Sequence, residues 1–93
     1  MQENRIEQRL RKEAKARGGL ALKFVSPGMS GVPDRLVLMP GGRMAFVELK
    51  APRKHLRPLQ KKRKEQLEKL GFAVYAADSL EMIGGILDEI QGT

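Results

Sequence analysis

The sequence predicts an α/β domain whose elements run in the order αβββαβα, and three observations predict it. A helical apolar period over residues 3–17 stops at Gly18-Gly19. Two strand-like apolar runs flank Pro40-Gly41-Gly42, the signature of a hairpin. An alternating run from Phe72 to Ala77 then follows a helix bracketed by Pro58 and Gly71, so the last strand is separated from the hairpin by a helix.

Each element has a local reason. On the first helix Ile6, Leu10 and Ala14 repeat every four residues and make one apolar stripe, with Glu7 on its flank and Glu3 one turn earlier. Leu20 to Ser26 reads as a strand, and Pro27-Gly28-Met29-Ser30-Gly31 as a flexible loop leading to Asp34. The second helix spans about Pro58 to Leu70 and is expected to bury Leu56, Leu59, Leu67 and Leu70, with Gln60 pointing inward and Lys61, Lys62, Lys64 and Lys69 splayed toward solvent. Asp78 is placed as the N-cap of a final helix through Gln91, with Glu81 three residues on completing a capping box. That last helix carries Leu80, Met82, Ile83, Ile86, Leu87 and Ile90, a wider apolar arc than one stripe needs, and the excess is a motive for dimerisation.

The hairpin holds the candidate chemistry. If Pro40, Gly41 and Gly42 form a three-residue loop, a type I turn with a glycine in the left-handed position, Met39 faces Arg43 and Asp34 sits opposite Glu48. Cross-strand partners share a face with Cβ atoms roughly 5 Å apart, and Glu48 and Lys50 share a face because side chains alternate. Two carboxylates and an ammonium then converge at one end of the hairpin. A two-residue Gly41-Gly42 turn would shift the register and send Asp34 to the other face. Leu36 and Leu38 pair with Phe46 and Met44 on one side, while Val37, Met39, Ala45, Val47 and Leu49 line the other, so the pair is apolar on both faces and central. Converging carboxylates at such a place are costly unless partnered; a divalent cation is one partner, and a salt bridge to Lys50 is another.

Composition narrows the classes of function. Ninety-three residues make one domain, which buries only about two-thirds of its unfolded surface. Without cysteine there are no disulfides and no thiolate metal sites, and the single histidine, His55, excludes a histidine-rich one; His55 reads as a loop residue or phosphate contact. No apolar run approaches the ~20 residues of a membrane span and the N-terminus has no signal-peptide core, so the expected setting is the cytoplasm. Residues 1–69 hold all 18 Lys and Arg against seven acidic residues, leaving +11, while residues 70–93 hold four acids and no base, leaving −4, which together give the net +7. Nine of the basic residues lie between Lys50 and Lys69. Such a run is often a solvated helix face; placed directly after the converging carboxylates, it would draw an anionic polymer to them.

Pro33-Asp34 followed by Glu48-Leu49-Lys50 resembles the PD-(D/E)XK nuclease signature. The longer string Gly18-Gly19-Leu20-Ala21-Leu22-Lys23-Phe24, Gly31-Val32-Pro33-Asp34-Arg35, Phe46-Val47-Glu48-Leu49-Lys50-Ala51-Pro52 and Pro58-Leu59-Gln60 is similar to the virus-type replication-repair nuclease branch of it, VRR-NUC, over most of the chain. The resemblance implies a restriction-endonuclease-like αβββαβ core with an added C-terminal helix, its four-stranded mixed sheet flanked by helices. It implies an Mg²⁺- or Mn²⁺-dependent endonuclease in which Asp34, Glu48 and the carbonyl of Leu49 hold the metal and a first-helix glutamate joins them, Glu7 by its place beside Ile6, with Glu3 the competitor. Lys50 would orient water and stabilise phosphate, and Gln60 would support the site or touch the scissile strand. Lys23, Arg35, Arg53, Lys54, Arg57, Lys61 and Lys64 are the expected DNA contacts. Stand-alone members of bacteria or phages, by the same resemblance, act as homodimers on branched DNA such as four-way (Holliday) junctions or flaps, in repair, recombination or replication.

Two other classes compete. A non-catalytic basic nucleic-acid-binding domain explains the charge but not the convergence of Asp34 and Glu48; the few aromatics, Phe24, Phe46, Phe72 and Tyr75, argue against a single-strand stacking platform. A protein-interaction or inhibitory domain of a mobile element would work without metal and through the last helix.

Overall fold

The structure, a computed structural model, describes residues 2–92. Seven elements follow the expected order: α1 (Gln2–Ala16), β1 (Leu20–Lys23), β2 (Arg35–Met39), β3 (Arg43–Leu49), α2 (Pro58–Lys69), β4 (Val74–Ala77) and α3 (Glu81–Ile90). The sheet order is β1-β2-β3-β4, with β1/β2 and β2/β3 antiparallel and β3/β4 parallel. A parallel neighbour needs a crossover, and α2 supplies it.

Met39 pairs with Arg43 and Arg35 with Val47, the register that the odd loop requires. The turn itself differs from the expected type I. Gly41 has φ 84 and Gly42 φ 76, and a positive φ directly after the proline is what a type II turn demands. That backbone is open to two glycines in succession and to few other pairs.

One face of the sheet carries Val37, Met39, Ala45, Val47 and Leu49, all buried, against Ile6, Leu10 and Ala14 of α1 and Ile83, Ile86, Leu87 and Ile90 of α3. The wide arc of α3 is therefore core, with Met82 alone of its large apolar residues exposed, and this corrects the expectation that the arc is an outer surface. The arc is broad because α3 packs against both α1 and the sheet. Arg17 closes the pair, its guanidinium 2.9 Å from Asp88 and 3.3 Å from the carbonyl of Gly84.

The other face carries Leu20, Leu22, Leu36, Leu38, Met44 and Phe46 and is covered only toward β4, where α2 lies. Phe46 packs between Phe24, tilted at a centroid distance of 5.5 Å, and Phe72, edge-to-face at 6.0 Å. Leu20, Leu22, Leu38 and Phe72 remain exposed. The second helix accordingly does not bury the leucines expected of it: Leu59 and Leu70 are exposed, Leu56 and Leu67 half-buried, and the buried residue is Gln60.

Element ends differ from the sequence reading for local reasons. At the end of α2, Gly71 (φ 101) donates to Glu68 and Phe72 to Leu67, a Schellman closure. The Phe72 amide is thus spent on the helix, and β4 begins only at Val74. Strand β1 stops at Lys23 rather than Ser26. The chain stays with the sheet through Ala77, whose carbonyl accepts the Lys50 N–H at 2.9 Å, so α3 starts at Glu81 with Leu80 in the cap position and Asp78 left outside.

Candidate active site

The site forms where β2 begins and β3 ends. The Arg35–Val47 pairing carries Asp34 to a position opposite Glu48, and the Asp34 Oδ1 accepts the backbone N–H of Leu49 at 3.0 Å. Its backbone carbonyl accepts the Phe24 N–H at 2.9 Å. The loop that delivers Asp34 is anchored rather than free: Gly31 (φ 83) lies so close to α2 that a Cβ there would stand 2.7 Å from Leu59 Cγ, and Arg63 Nε donates to the Ser30 carbonyl at 2.7 Å. Arg63 was not singled out by sequence. Its one signal is that it is the sole arginine within Lys61-Lys62-Arg63-Lys64, the member with a guanidinium able to serve Ser30 and, at 2.9 Å, Gln66 together.

Glu48 is 7 % exposed and faces α2. Its Oε2 accepts from Gln60 Nε2 at 2.8 Å and lies 3.6 Å from the Lys50 ammonium. Gln60 is fixed at both ends, because a backbone N–H can only donate: its Oε1 takes the Arg57 N–H at 2.9 Å, which leaves the NH₂ for the carboxylate. Burial, and after it the Asp34 charge, pushes the Glu48 carboxyl above its ordinary 4.5, with Lys50 opposing. A carboxylate desolvated next to another carboxylate is a position from which a bound cation would relieve strain.

The first-helix glutamates take different places. Glu3 lines a cleft of about 490 Å³ together with Glu48, Lys50, Lys54, His55, Arg57 and Gln60. Glu7 lies 3.8 Å from Arg35 and 3.9 Å from Arg11. Arg35, expected to meet phosphate, is instead turned inward: its side chain is 15 % exposed, 3.4 Å from Asp34 Oδ2, and its Nε is buried without a hydrogen-bond partner. Strand alternation explains this, since Arg35 shares the α1 side of the sheet with Val37 and Val47.

Among the other expected contacts, Lys54 and Arg57 face the cleft and Lys61 an adjoining hollow. Lys64 is paired with Glu68 at 2.7 Å on α2. Lys23 ends β1 beside Arg35, and Arg53 sits in the exposed loop after β3 with φ 68, a left-handed backbone that a non-glycine residue adopts at a cost of about 1 kcal/mol.

The donor set fits a hard divalent cation. Asp34 and Glu48 offer carboxylate oxygens, and no group of three or more His, Cys, Asp or Glu among the described residues could hold a metal, so the chain would supply few ligands and water the rest, the manner of Mg²⁺.

Known proteins are similar to this chain in sequence and in architecture. The VRR-NUC domain family matches residues 1–81. "Putative nuclease p44" of Acyrthosiphon pisum secondary endosymbiont phage 1 is 45% identical over 82 residues, 88% of each chain. A solved structure described as a VRR_NUC domain superposes with a TM-score of 0.88 at 30% identity, covering 95% of this chain and 96% of its own. With the family's pattern spanning the helix, the hairpin and the crossover that build the cleft, the chain belongs to the VRR-NUC family of nuclease domains.

Proposed function

We propose that this protein is an Mg²⁺- or Mn²⁺-dependent endodeoxyribonuclease acting on branched DNA, a four-way junction or flap, in the cytoplasm of a bacterium or of a phage-infected cell. The observation that carries the reading is the buried Glu48, held by Gln60 and Lys50 beside Asp34 at the floor of a cleft whose rim is basic. A salt bridge for stability alone does not need a desolvated carboxylate next to another one. No helix among the described residues is long and apolar enough to cross a membrane.

Asp34, Glu48 and the carbonyl of Leu49 would hold the ion, and a first-helix glutamate would meet it only through water; Glu3 is favoured over Glu7 by lining the cleft. When bound, such an ion lowers the pKa of water and neutralises charge gathering on the phosphate. The chain's own groups do the rest. Lys54 and Arg57 draw in and orient the DNA backbone. Lys50, 3.6 Å from Glu48, serves as a positive charge held against the transition state. Gln60 holds the Glu48 carboxylate in one orientation.

The test compares wild type with Asp34→Asn, Glu48→Gln, Lys50→Ala and Gln60→Ala on labelled junction, flap and linear DNA, with and without Mg²⁺. Cleavage should require metal. Gln60→Ala should lose roughly 10–100-fold, as expected for a supporting partner, and the other three more than that. Full cleavage by Asp34→Asn and Glu48→Gln would refute the site; intact DNA with wild type under all conditions would leave a non-catalytic DNA-binding domain.

A further inference from the structure

Lys50 is a partition between two hollows. On one side is the cleft of Glu48 and Gln60; on the other is a second concavity of about 340 Å³, and Lys50, Lys54 and His55 line both. The second hollow lies at the carboxyl ends of the parallel strands β3 and β4, the place where open α/β sheets receive ligands. Lys61 adds another ammonium to its wall, Leu56 and Met82 give it an apolar side, and Asp78 supplies its one carboxylate. Asp78 is free for this because it does not cap α3.

We infer that this hollow is a nucleotide pocket that takes the unpaired nucleotide next to the scissile phosphodiester. The inference rests on the nuclease reading above and adds to it a reason for the substrate class. A phosphate alone would use the ammonium groups and leave Leu56 and Met82 idle. A nucleotide uses both, with phosphate and sugar toward Lys54 and Lys61 and the flat face of the base against the apolar wall. Its size suits such a ligand, since small-molecule pockets begin at about 300 Å³. Because the two hollows share a wall, a strand whose phosphate lies at Glu48 places its neighbouring nucleotide at the second. A base can enter only when it leaves its stack, which costs least where it is already unpaired. Flap ends meet that condition, whereas continuous duplex and the paired arms of a four-way junction do not. The Asp78 carboxylate accepts hydrogen bonds, so the exocyclic NH₂ of adenine, cytosine or guanine is favoured over thymine, whose one donor, N3–H, lies between two carbonyl oxygens that the carboxylate repels.

The test has a metal-free arm and a cleavage arm. Without metal, titration of the full chain with dAMP, dTMP, inorganic phosphate and deoxyadenosine, followed by amide chemical shifts, should show dAMP binding about ten-fold or more tighter than phosphate, with shifts centred on Leu56, Asp78 and Met82. Met82→Trp, at an exposed position, fills the pocket and should weaken dAMP by about ten-fold; Asp78→Asn should erase the preference of dAMP over dTMP. With Mg²⁺, a flap carrying an abasic residue beside the cut site should be cleaved about ten-fold slower by wild type, and Met82→Trp should remove that difference. Dispersion-matched melting confirms that both variants fold. If dAMP binds no tighter than phosphate, or Met82→Trp leaves its affinity unchanged, the pocket is refuted while the nuclease reading stands. If wild type cuts nothing, the nuclease reading falls, and the metal-free titration still judges the pocket.

Discussion

At the scale of single residues the site is a matter of opposed charges at close quarters. Glu48 binds its proton more tightly folded than unfolded, so the folded chain loses stability as pH rises through the interval above 4.5, where the unfolded glutamate has already ionised. Glu48→Gln removes that slope: in metal-free protein, wild type should lose melting temperature relative to the variant as pH rises above the ordinary carboxylate range, and the variant should be the more stable once Glu48 is ionised. Parallel melting curves above that range would show that the burial of Glu48 carries no penalty. The same physics gives the acid side of activity, since metal requires the ionised carboxylate and affinity should fall at a pH above the ordinary carboxylate range. Asp34, Glu48 and Lys50 were legible in the sequence because alternation and one odd-length turn fix their common end. The inward turn of Arg35 toward Glu7 was not, because it depends on where α1 crosses the sheet, and no local pattern encodes that.

At the scale of elements, the loop before β2 is a strut between α2 and Asp34. Gly31→Ala forces a side chain into a left-handed backbone and into Leu59, at a cost of about 2–4 kcal/mol. The melting temperature should fall by at least about 8 °C, and cleavage at a permissive temperature should fall with it, since Asp34 is displaced. A variant that melts like wild type would show that the loop is loose. The Pro, Gly and Ser content of this segment reads as flexible, whereas its anchors, Gly31 against Leu59 and Ser30 against Arg63 of α2, lie more than 25 residues away in the chain, out of reach of composition. Helix α2 misled in a related way. Its leucines suggested a buried stripe, yet α2 rests on the sheet only near β4, and Gln60 takes the inner position because Glu48 needs a donor there.

At the scale of the whole molecule, element order, sheet class and the α1 stripe were readable from periodicity, while the partner of α3 was not: an arc wide enough for a dimer is also wide enough to meet a helix and a sheet at once. The surface with an unmet apolar area is the outer sheet face, with Leu20, Leu22, Leu38 and Phe72. If a second copy of the chain binds, this face is the one it is predicted to cover. Sedimentation at micromolar concentration should give a dimer for wild type and a monomer for Leu22→Glu combined with Leu38→Glu, with metal-dependent nicking of single strands retained by the monomer. A wild type that sediments as a monomer with and without junction DNA would rule the dimer out. Rate and affinity should both drop with salt, because Lys50, Lys54 and Arg57 line the cleft.

The two-ended hold on Gln60 gives the protein a built-in gauge. One end of that amide grips Glu48 and the other grips the Arg57 N–H at the threshold of α2, so whatever changes the charge on the glutamate is felt by a backbone proton in the loop that lines the cleft. The Arg57 amide resonance should therefore shift, and its exchange with solvent quicken, when Glu48 is protonated or replaced by alanine, before any substrate is added. Ionisation of the site can thus be followed from a backbone amide outside the carboxylate pair.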